Sequence, residues 1–282
     1  MWFVTLAKVY LTADLQYFLA NSIQLCALDY FLTSYSSNSF YDGVALKLES
    51  FGLTDTGCTR TNNEDCFLIA EDAKLYLVAD GMGGAQAGEH ASQLAAVTVG
   101  NMISNMKEPS DAILPQAFEQ ANLEVLQASR RDFRLEGMGT TLVAILGNGE
   151  RAYVANVGDS RAYLYHQGHL RVLSEDQTWV NEIGRKLGLP EEQLKKHPLR
   201  NVLTMAIGVG DQVRIHSASV ELEAGMVFLL CSDGLHGVIP DSDIVNILQS
   251  GGELEHQAAT LIEKAKQAGG PDNITTVLLR VA

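Results

Sequence analysis

The amino-acid sequence predicts an α+β fold in which β-sheets pack against one another and helices cover their outer faces. Probable strands occur in batches, and several are joined by short turns such as 147–149 and 167–168. Short turns connect antiparallel neighbours, so the sheets are expected to be mainly antiparallel. Helical patterns occur in pairs, one pair early and one late. The length of 282 residues suits one large domain, alone or with an extension.

Apolar runs bounded by turn residues predict the strands. The predicted strands are 45–53, 66–71, 74–80, 141–147, 151–158, 161–166, 169–173, 213–220, 226–232 and 274–281.

Four helices are predicted from apolar residues at helical spacing. Two cover about 86–105 and 111–133. Of the two late helices, the first begins at a capping signal in 240–243, and the second ends at Gly269 and Gly270.

Two segments do not follow this pattern. Segment 175–210 is polar and irregular and lies between two predicted strands, so we interpret it as an insertion over the site. Residues 1–43 are apolar, but polar residues interrupt them before any run reaches the ~18–20 residues of a membrane span. We expect 1–43 to lie outside the domain formed by 44–282. A mistaken translation start is favoured over a peripheral helix or a partner-binding extension.

Composition excludes some classes of function. Twenty basic and 34 acidic residues give a net charge of −14, which argues against a general nucleic-acid binder. Cys26, Cys58, Cys66 and Cys231 form no CxxC pair and are expected to be unreactive thiols in a reducing cytosol. We expect a cytoplasmic monomer without membrane association.

Six acidic residues stand at the ends or the beginnings of predicted strands, several of them beside glycine. Antiparallel neighbours place the end of one strand beside the start of the next, so these carboxylates can gather on one sheet rim. Carboxylates are poor core residues but good ligands for a hard cation, and glycine lets backbone and water approach. The pattern therefore predicts a metal site. The six residues are Glu64, Asp65, Asp80, Asp159, Asp233 and Asp272.

The predicted ligands are oxygens, without a histidine pair or a thiolate cluster, which suits Mg²⁺ or Mn²⁺ better than Zn²⁺ or Cu²⁺. Two such ions about 3.5–4 Å apart clamp a phosphoryl group and lower the pKa of a bridging water. Asp80 heads the glycine-rich turn 80–84 and is the natural bridge between two ions. A single Asp-Gly usually marks only a tight turn. No Gly-Lys-Ser/Thr follows this turn, which argues against a nucleotide-binding P-loop.

Arg60 lies four residues before Glu64, on the same approach to the rim. A guanidinium there could grip a phosphate through two hydrogen bonds. The other interpretation is a solvated surface arginine.

Six motifs follow one another in order from about residue 48 to residue 281. They are DTGCTRTNNED at 55–65, DGMGG at 80–84, GTT at 139–141, GDSR at 158–161, SDG at 232–234 and DNIT at 272–275. Together they resemble the motif set of the metal-dependent (type 2C, PPM) serine/threonine protein phosphatases in their bacterial form. A lone Asp-Gly is weak support, whereas six motifs with compatible spacing are specific.

The resemblance implies an α-β-β-α sandwich of two mainly antiparallel sheets flanked by helix pairs, with a dinuclear Mn²⁺ or Mg²⁺ centre at one end. Carried over by position, Asp80, Asp233 and Asp272 hold the first metal. Asp80, the Gly81 carbonyl and, through water, Glu64 hold the second.

The resemblance also implies roles around the two metals. Asp159 serves a third, weaker metal position, and Arg60 binds the substrate phosphate. Asp65 and Asn273 support the ligands. Segment 175–210 is similar to the family's flap, which borders the substrate cleft.

Three positions depart from the family pattern. Ala85 and Gln177 stand where bacterial members usually have histidine. Met82 stands where animal members carry a candidate general-acid histidine, and bacterial members share that substitution. The ligands are intact, so these departures concern the proton donor.

Two groups are candidates for the acid that protonates the leaving group, namely a metal-bound water and His236. The other interpretation of His236 is an exposed loop histidine. His90 and His197 are interpreted as structural.

These roles predict a serine/threonine protein phosphatase that acts by direct attack of a metal-bridging hydroxide, with no phosphoenzyme. Phosphorylated proteins are the expected substrates, with a bacterial serine/threonine kinase and its targets as partners. Two alternatives stay open. One is a regulatory domain that recognises a phosphoprotein without turnover, which the loss of ligands would favour, and no ligand is lost. The other is a two-metal hydrolase of nucleotides or small phosphoesters.

Overall fold

The structure, a computed structural model, describes residues 47–84, 87–105, 112–194 and 196–282. Within these ranges, eleven strands form two antiparallel sheets that pack face to face, with helices on both outer faces. The predicted α+β sandwich is therefore confirmed. The predicted extension 1–43 and the departure at Ala85 lie outside the described residues.

The strands agree with the predicted ones to within a few residues at most ends. They are β1 (Leu48–Asp55), β2 (Asp65–Ala70), β3 (Leu75–Met82), β4 (Gly139–Thr140), β5 (Leu142–Gly147), β6 (Arg151–Val157), β7 (Arg161–His166), β8 (His169–Val172), β9 (His216–Glu221), β10 (Val227–Cys231) and β11 (Ile274–Val281).

The described helices include the four predicted ones and two short ones. They are α1 (Ala87–Ser104), α2 (Ile113–Arg131), α3 (Glu191–Leu194), α4 (Asp233–His236), α5 (Asp241–Gln249) and α6 (Leu254–Gln267). The predicted capping signal marks the start of α5, but its N-cap residue is Pro240 and no side chain caps the helix. Gly269 and Gly270 follow α6 with positive φ angles of 118° and 47°, which ends the helix as predicted.

Two hydrogen-bonded sheets form the centre of the molecule. One has the order β1-β11-β10-β7-β8, and the other has the order β2-β3-β5-β6-β9, with β4 paired to β3. Every pair of neighbouring strands is antiparallel.

Three apolar layers result from strands that are buried on both faces. In β3, Leu75, Leu77 and Ala79 face α1 and α2, whereas Tyr76 and Val78 face the core between the sheets. Because side chains alternate along a strand, a continuous apolar run fills both layers at once. Helices α5 and α6 pack on the outer face of the other sheet in the same way. This explains why the central strands lack polar alternation.

At one end of the sandwich, which we call the crossing end, the chain passes from one sheet to the other in more than one place. Residues 56–64 join β1 to β2, and residues 158–160 join β6 to β7. The same end holds the end of β10 and the start of β11, because Asp55 pairs with Ile274 and Arg161 pairs with Cys231. This end is the rim on which the acidic residues were predicted to gather.

The predicted insertion 175–210 lies in the connection from β8 to β9, which also passes from one sheet to the other. Its description as irregular was incomplete, because it contains a π-helical turn at Val180–Gly184 and helix α3. We call segment 175–210 the flap.

Two further sequence predictions concern thiols and membranes. Cys58, Cys66 and Cys231 are free thiols. None of the helices in the described ranges combines the length and the apolar character that a bilayer crossing demands.

Candidate metal centre

Five buried or partly buried aspartates meet at the crossing end of the sandwich. Asp65 and Asp80 are direct partners across β2 and β3. The carboxyl of Asp80 also feels the charges of Asp233, Asp159 and Asp272. Asp80 and Asp233 are close enough for their carboxyls to hydrogen-bond. Five aspartates that are distant in sequence therefore lie at the same end of the fold.

The surroundings of Asp65, Asp80, Asp159 and Asp233 disfavour their charged forms. Burial, followed by the neighbouring carboxylates, raises the pKa of Asp80 well above its usual value. Burial is also the main cause that raises the pKa of Asp65 to about 7, that of Asp159 to about 8 and that of Asp233 to about 6. A cluster of this kind favours protons or cations at neutral pH.

The backbone of Asp80 is held from both sides. Its N–H donates to Thr141 Oγ1 over 3.0 Å, and its carbonyl accepts from Thr140 Oγ1 at 2.9 Å and from the Thr141 N–H at 2.8 Å. The Thr141 hydroxyl pairs in turn with Ser160 Oγ at 2.7 Å. The GTT motif thus fixes the candidate bridging residue and links it to the turn that carries Asp159.

Glycine is needed beside Asp80 because α1 approaches closely. A Cβ on Gly81 would lie 2.1 Å from the Gly88 carbonyl oxygen, and a Cβ on Gly88 would lie 2.2 Å from Glu64 Oε2. Side chains at either position would therefore push α1 away. The close approach seats the Glu64 carboxylate against the first turn of α1, beside Gly81.

Asp65 is fixed through one carboxylate oxygen and leaves the other without a partner. Its Oδ2 accepts from Ser232 Oγ at 2.7 Å and from Thr275 Oγ1 at 2.6 Å. Its Oδ1 is buried and accepts no hydrogen bond. A buried carboxylate oxygen without a donor is costly unless a cation or water lies near it. This oxygen is a direct sign that the rim suits a cation.

Asn273 ties the approach loop to the start of β11. Its Oδ1 accepts from the Glu64 N–H at 2.9 Å, and its Nδ2 donates to the carbonyls of Thr56 and Asn62 at 3.1 and 2.9 Å. The side chain amide thereby sets the backbone on which Glu64 stands, which fits the supporting role that was predicted.

Arg60 lies at the rim and not on a remote surface. Its Nη2 donates to Asp272 Oδ2 at 2.8 Å, and Asp272 Oδ1 accepts from the Asn273 N–H at 2.9 Å. The side chain of Arg60 is 50% exposed, so its guanidinium is accessible from solvent. Its hydrogen bond to Asp272 is the main cause that raises its pKa.

His236 is not an exposed loop histidine, so that interpretation was wrong. It ends helix α4, and its Nε2 lies 3.0 Å from the Asp159 carbonyl oxygen. Burial lowers its pKa to about 4, so the ring is neutral near pH 7 and is a poor proton donor. The sequence did not reveal this contact, because a four-residue helix shows no helical period.

The other two histidines, His90 and His197, were predicted to be structural. His197 stacks on Trp179 with ring centroids 4.2 Å apart, and its Nδ1 accepts from the Leu199 N–H, which confirms a structural role. His90 lies in α1, and burial lowers its pKa.

Sequence reasoning assigned no role to several residues that hold the rim together. Ser232, Thr275 and Thr141 supply the hydroxyls described above. All three lie inside the six motifs, but only Ser232 is adjacent to a residue with a predicted role, Asp233. Arg161 and Asp176 form an ion pair with Nη2–Oδ2 at 2.6 Å, which no sequence pattern indicates.

The donor set fits hard divalent cations in part. Carboxylates and a carbonyl are the oxygen donors that Mn²⁺ and Mg²⁺ prefer, and the cluster has few compensating positive charges apart from Arg60. Within the described ranges, however, no three His, Cys, Asp or Glu side chains converge closely enough to hold an ion by themselves. Asp272 is engaged by Arg60, and the like charges of the other carboxyls repel. The ligand assignment stays a prediction.

Comparison with known families agrees with this geometry. The protein phosphatase 2C family profile matches residues 59–278. A serine/threonine phosphatase, Stp, of Listeria monocytogenes is 36% identical over an alignment of 238 residues that covers 80% of this chain and 93% of that protein.

Solved structures share the fold. The Mycobacterium tuberculosis serine/threonine phosphatase PstP/Ppp superposes with a TM-score of 0.77 at 36% identity, covering 83% of this chain and 98% of that chain. The catalytic domain of a serine/threonine protein phosphatase PstP in complex with two manganese ions has a TM-score of 0.76 at 34% identity, over 84% of this chain and 99% of that chain.

Proposed function

The chain belongs to the protein phosphatase 2C family and is a serine/threonine phosphatase, and we propose that it transfers phosphate from phosphoserine and phosphothreonine directly to water at a two-metal centre. The observation that carries this proposal is the meeting of Asp80, Asp159, Asp233 and Asp272 at one end of the sandwich. Such a set of buried and partly buried carboxylates is costly in a core and useful at a cation site.

We propose the following ligands. Asp80, Asp233 and Asp272 hold one ion, and Asp80, the Gly81 carbonyl and Glu64 hold the second, with Glu64 acting through water. Three features support this assignment: the fixed backbone of Asp80, the seat of Glu64 beside Gly81, and the proximity of Asp80 to Asp233.

Asp159 is the proposed ligand of a third, more weakly held ion. It lies on the turn between β6 and β7, and the charge of its carboxylate raises the pKa of Asp80. Manganese is an expected metal because a related catalytic domain was solved with two manganese ions. Magnesium offers the same preference for oxygen ligands.

Divalent ions at this rim would supply an activated water molecule and neutralise negative charge on the phosphate. The residues of the protein position the phosphate and the metal ligands. Arg60 is proposed to orient the phosphate through its fork of N–H groups, since its guanidinium is accessible and lies beside Asp272. Asp65 and Asn273 hold the strands and the loop that carry the ligands.

The proposed substrates are phosphorylated proteins, and a serine/threonine kinase and its targets are the proposed partners. We further propose that the protein acts in the cytoplasm as a monomer. The kinase assignment rests on family membership, because an enzyme of this class reverses what such a kinase does.

Steady-state phosphate release from a phosphothreonine peptide with Mn²⁺ tests the proposed function. Wild-type protein should turn over, and Asp80→Asn should lose about 10³-fold or more in kcat, the scale of removing a central electrostatic group. Asp132→Asn, at a partly buried aspartate that pairs with Arg134 far from the rim in sequence, is the matched control and should retain activity. Faster turnover of nucleotides than of the peptide would favour a small-phosphoester hydrolase, and peptide binding without turnover would favour a recognition domain.

A further inference from the structure

Gln177 lies at the base of the flap and is 2% exposed, whereas most of the flap is exposed or only partly buried. A buried amide must satisfy its donors and acceptor within the protein. Its surroundings show which elements it joins.

Three parts of the chain meet at Gln177. Its N–H donates to the Gly158 carbonyl at 3.0 Å, and its Oε1 accepts from the Gly158 N–H at 2.9 Å. Its Nε2 donates to the Arg214 carbonyl at 2.8 Å, and its own carbonyl accepts from the Thr204 N–H at 2.9 Å. Gln177, at the start of the flap, therefore bonds to Thr204 near the end of the flap and to Arg214 just beyond it. It also bonds to Gly158, in the turn before Asp159.

The two preceding flap residues contact the same turn. The Asn156 side chain accepts from the Glu175 N–H at 3.0 Å and donates to the Glu175 carbonyl at 2.8 Å. Asp176 accepts three hydrogen bonds from Arg161, at 2.9, 3.1 and 2.6 Å. Three consecutive flap residues are thus fastened to the segment 156–161, which carries Asp159 at its centre.

The chemistry at position 177 is restrictive. Gly158 presents a donor and Arg214 presents an acceptor, so the side chain between them must accept at one end and donate at the other. A carboxylate would place an acceptor against the Arg214 carbonyl, and an aliphatic chain would leave both groups unsatisfied. A neutral imidazole has one donor and one acceptor and can meet both demands.

We propose that Gln177 is a positioning residue that couples the flap to the Asp159 turn, so that flap order and the metal position served by Asp159 depend on one another. This inference rests on the proposed function, because it gives Asp159 its role there. Gln177 acts through Gly158 and does not itself touch substrate.

The test compares Gln177→Leu, Gln177→His and Gln257→Leu in the full chain. Gln257 is the matched control: it is a buried glutamine whose Nε2 donates to the carbonyls of Ile247 and Leu248, on the helices of the opposite layer. Amide hydrogen exchange across the flap and calorimetric titration with Mn²⁺ are measured together with kcat and KM for a phosphothreonine peptide.

Gln177→Leu should raise flap exchange and weaken the weakest Mn²⁺ binding step by about tenfold, because two buried polar groups lose their partners. KM for the peptide should rise more than kcat falls. Gln177→His should keep flap exchange, Mn²⁺ affinity and KM within about threefold of the wild-type values. Gln257→Leu should lower the melting temperature and leave flap exchange and Mn²⁺ binding unchanged.

Three results would overturn the inference: a folded Gln177→Leu with wild-type flap exchange and Mn²⁺ titration, the same changes in Gln257→Leu, or a Gln177→His variant with the full defect of the leucine. If Gln177→Leu does not fold, the folded Gln177→His variant is the test. Amide exchange across the flap that is faster in this variant than in wild type would contradict the coupling. Flap exchange and Mn²⁺ titration do not need turnover. A protein without phosphatase activity would therefore refute the proposed function while these two readouts still judge the coupling.

Discussion

The guanidinium of Arg60 and the carboxylate of Asp272 form a 2.8 Å hydrogen bond across 212 positions of sequence. The pair joins the approach loop before β2 to the residue that precedes β11. It also joins a proposed phosphate-binding group to a proposed metal ligand. The two functions therefore share one ionic contact at the rim.

Replacing Arg60 by lysine keeps the charge and removes the planar fork of donors. We expect Arg60→Lys to lower kcat/KM for a phosphothreonine peptide by about tenfold or more, mainly through KM, because an ammonium cannot bind phosphate in a bidentate manner. Initial-rate kinetics measure the effect. Arg130→Lys is the control, since Arg130 also pairs with an aspartate at 2.8 Å but lies outside the site. Equal KM values for Arg60→Lys and wild type would show that Arg60 does not bind the phosphate.

In chelator, the protein should lose stability as pH rises from about 6.5 to about 8.5. The pKa values of Asp233, Asp65 and Asp159 are raised to about 6, 7 and 8, chiefly by burial. A carboxyl with a raised folded-state pKa stabilises the fold fully below its unfolded pKa, and that contribution is lost as pH rises through the folded value. Thermal denaturation at several pH values measures the loss.

The predicted loss of stability is measured above pH 6.5, because below that pH the buried histidine changes stability with pH in the opposite direction. Burial lowers the pKa of His236 to about 4, so its stabilising contribution is lost as pH falls from 6.5 towards 4. Added Mn²⁺ should flatten the loss of stability above pH 6.5, since bound cations replace protons at the carboxylates. A melting temperature in chelator that rises between pH 6.5 and 8.5 would contradict the raised pKa values of the clustered aspartates.

Asp65→Asn should stabilise the metal-free protein and weaken its affinity for Mn²⁺. Asparagine keeps an oxygen for the hydroxyls of Ser232 and Thr275 and removes a buried charge. The gain should be on the order of 1 kcal/mol at pH 8, because burial disfavours the ionised carboxyl there. Chemical denaturation and calorimetric titration measure the two effects.

The control for Asp65 is Asp55→Asn, at the same end of the sandwich. Asp55 accepts a 2.9 Å contact from Lys266, so neutralising it removes an attraction and should not stabilise the protein. Destabilisation by both substitutions would mean that Asp65 is not under electrostatic strain.

His236→Gln should not affect the departure of the leaving group selectively. The ring nitrogen that could donate a proton lies against the Asp159 carbonyl, and burial lowers the pKa of the ring to about 4. A lost general acid slows phosphothreonine, whose alkoxide leaves poorly, far more than p-nitrophenyl phosphate, whose phenolate leaves well. We expect kcat for the two substrates to change by the same factor. A loss confined to the phosphopeptide would make His236 the acid.

The strands and the acidic rim could be predicted because their signals are local. Each run such as 75–79 is apolar on both faces, and the carboxylate of Asp80 follows it directly. Antiparallel pairing then requires the ends to meet, as Asp65 and Asp80 do. The order of the motifs suggests the roles that we propose for the individual residues.

The contacts of the flap could not be predicted, because they depend on the path of the chain in space. Nothing near Asp176 in the sequence indicates that it meets Arg161, and nothing near Gln177 indicates Gly158. Strand β4 has two residues and helix α4 has four, so neither shows a period. In the sequence Gln177 is only a departure from the family pattern, and its proposed positioning role rests on its four hydrogen bonds.

Anomalous diffraction at the manganese edge, from crystals grown with Mn²⁺, tests the central claim most directly. The claim is that carboxylates distant in sequence seat two ions at the crossing end of the sandwich. We expect two peaks about 3.5–4 Å apart, with a carboxylate oxygen of Asp80 bonded to each. Peaks elsewhere on the protein, or a pair of ions that Asp80 does not touch, would contradict the account.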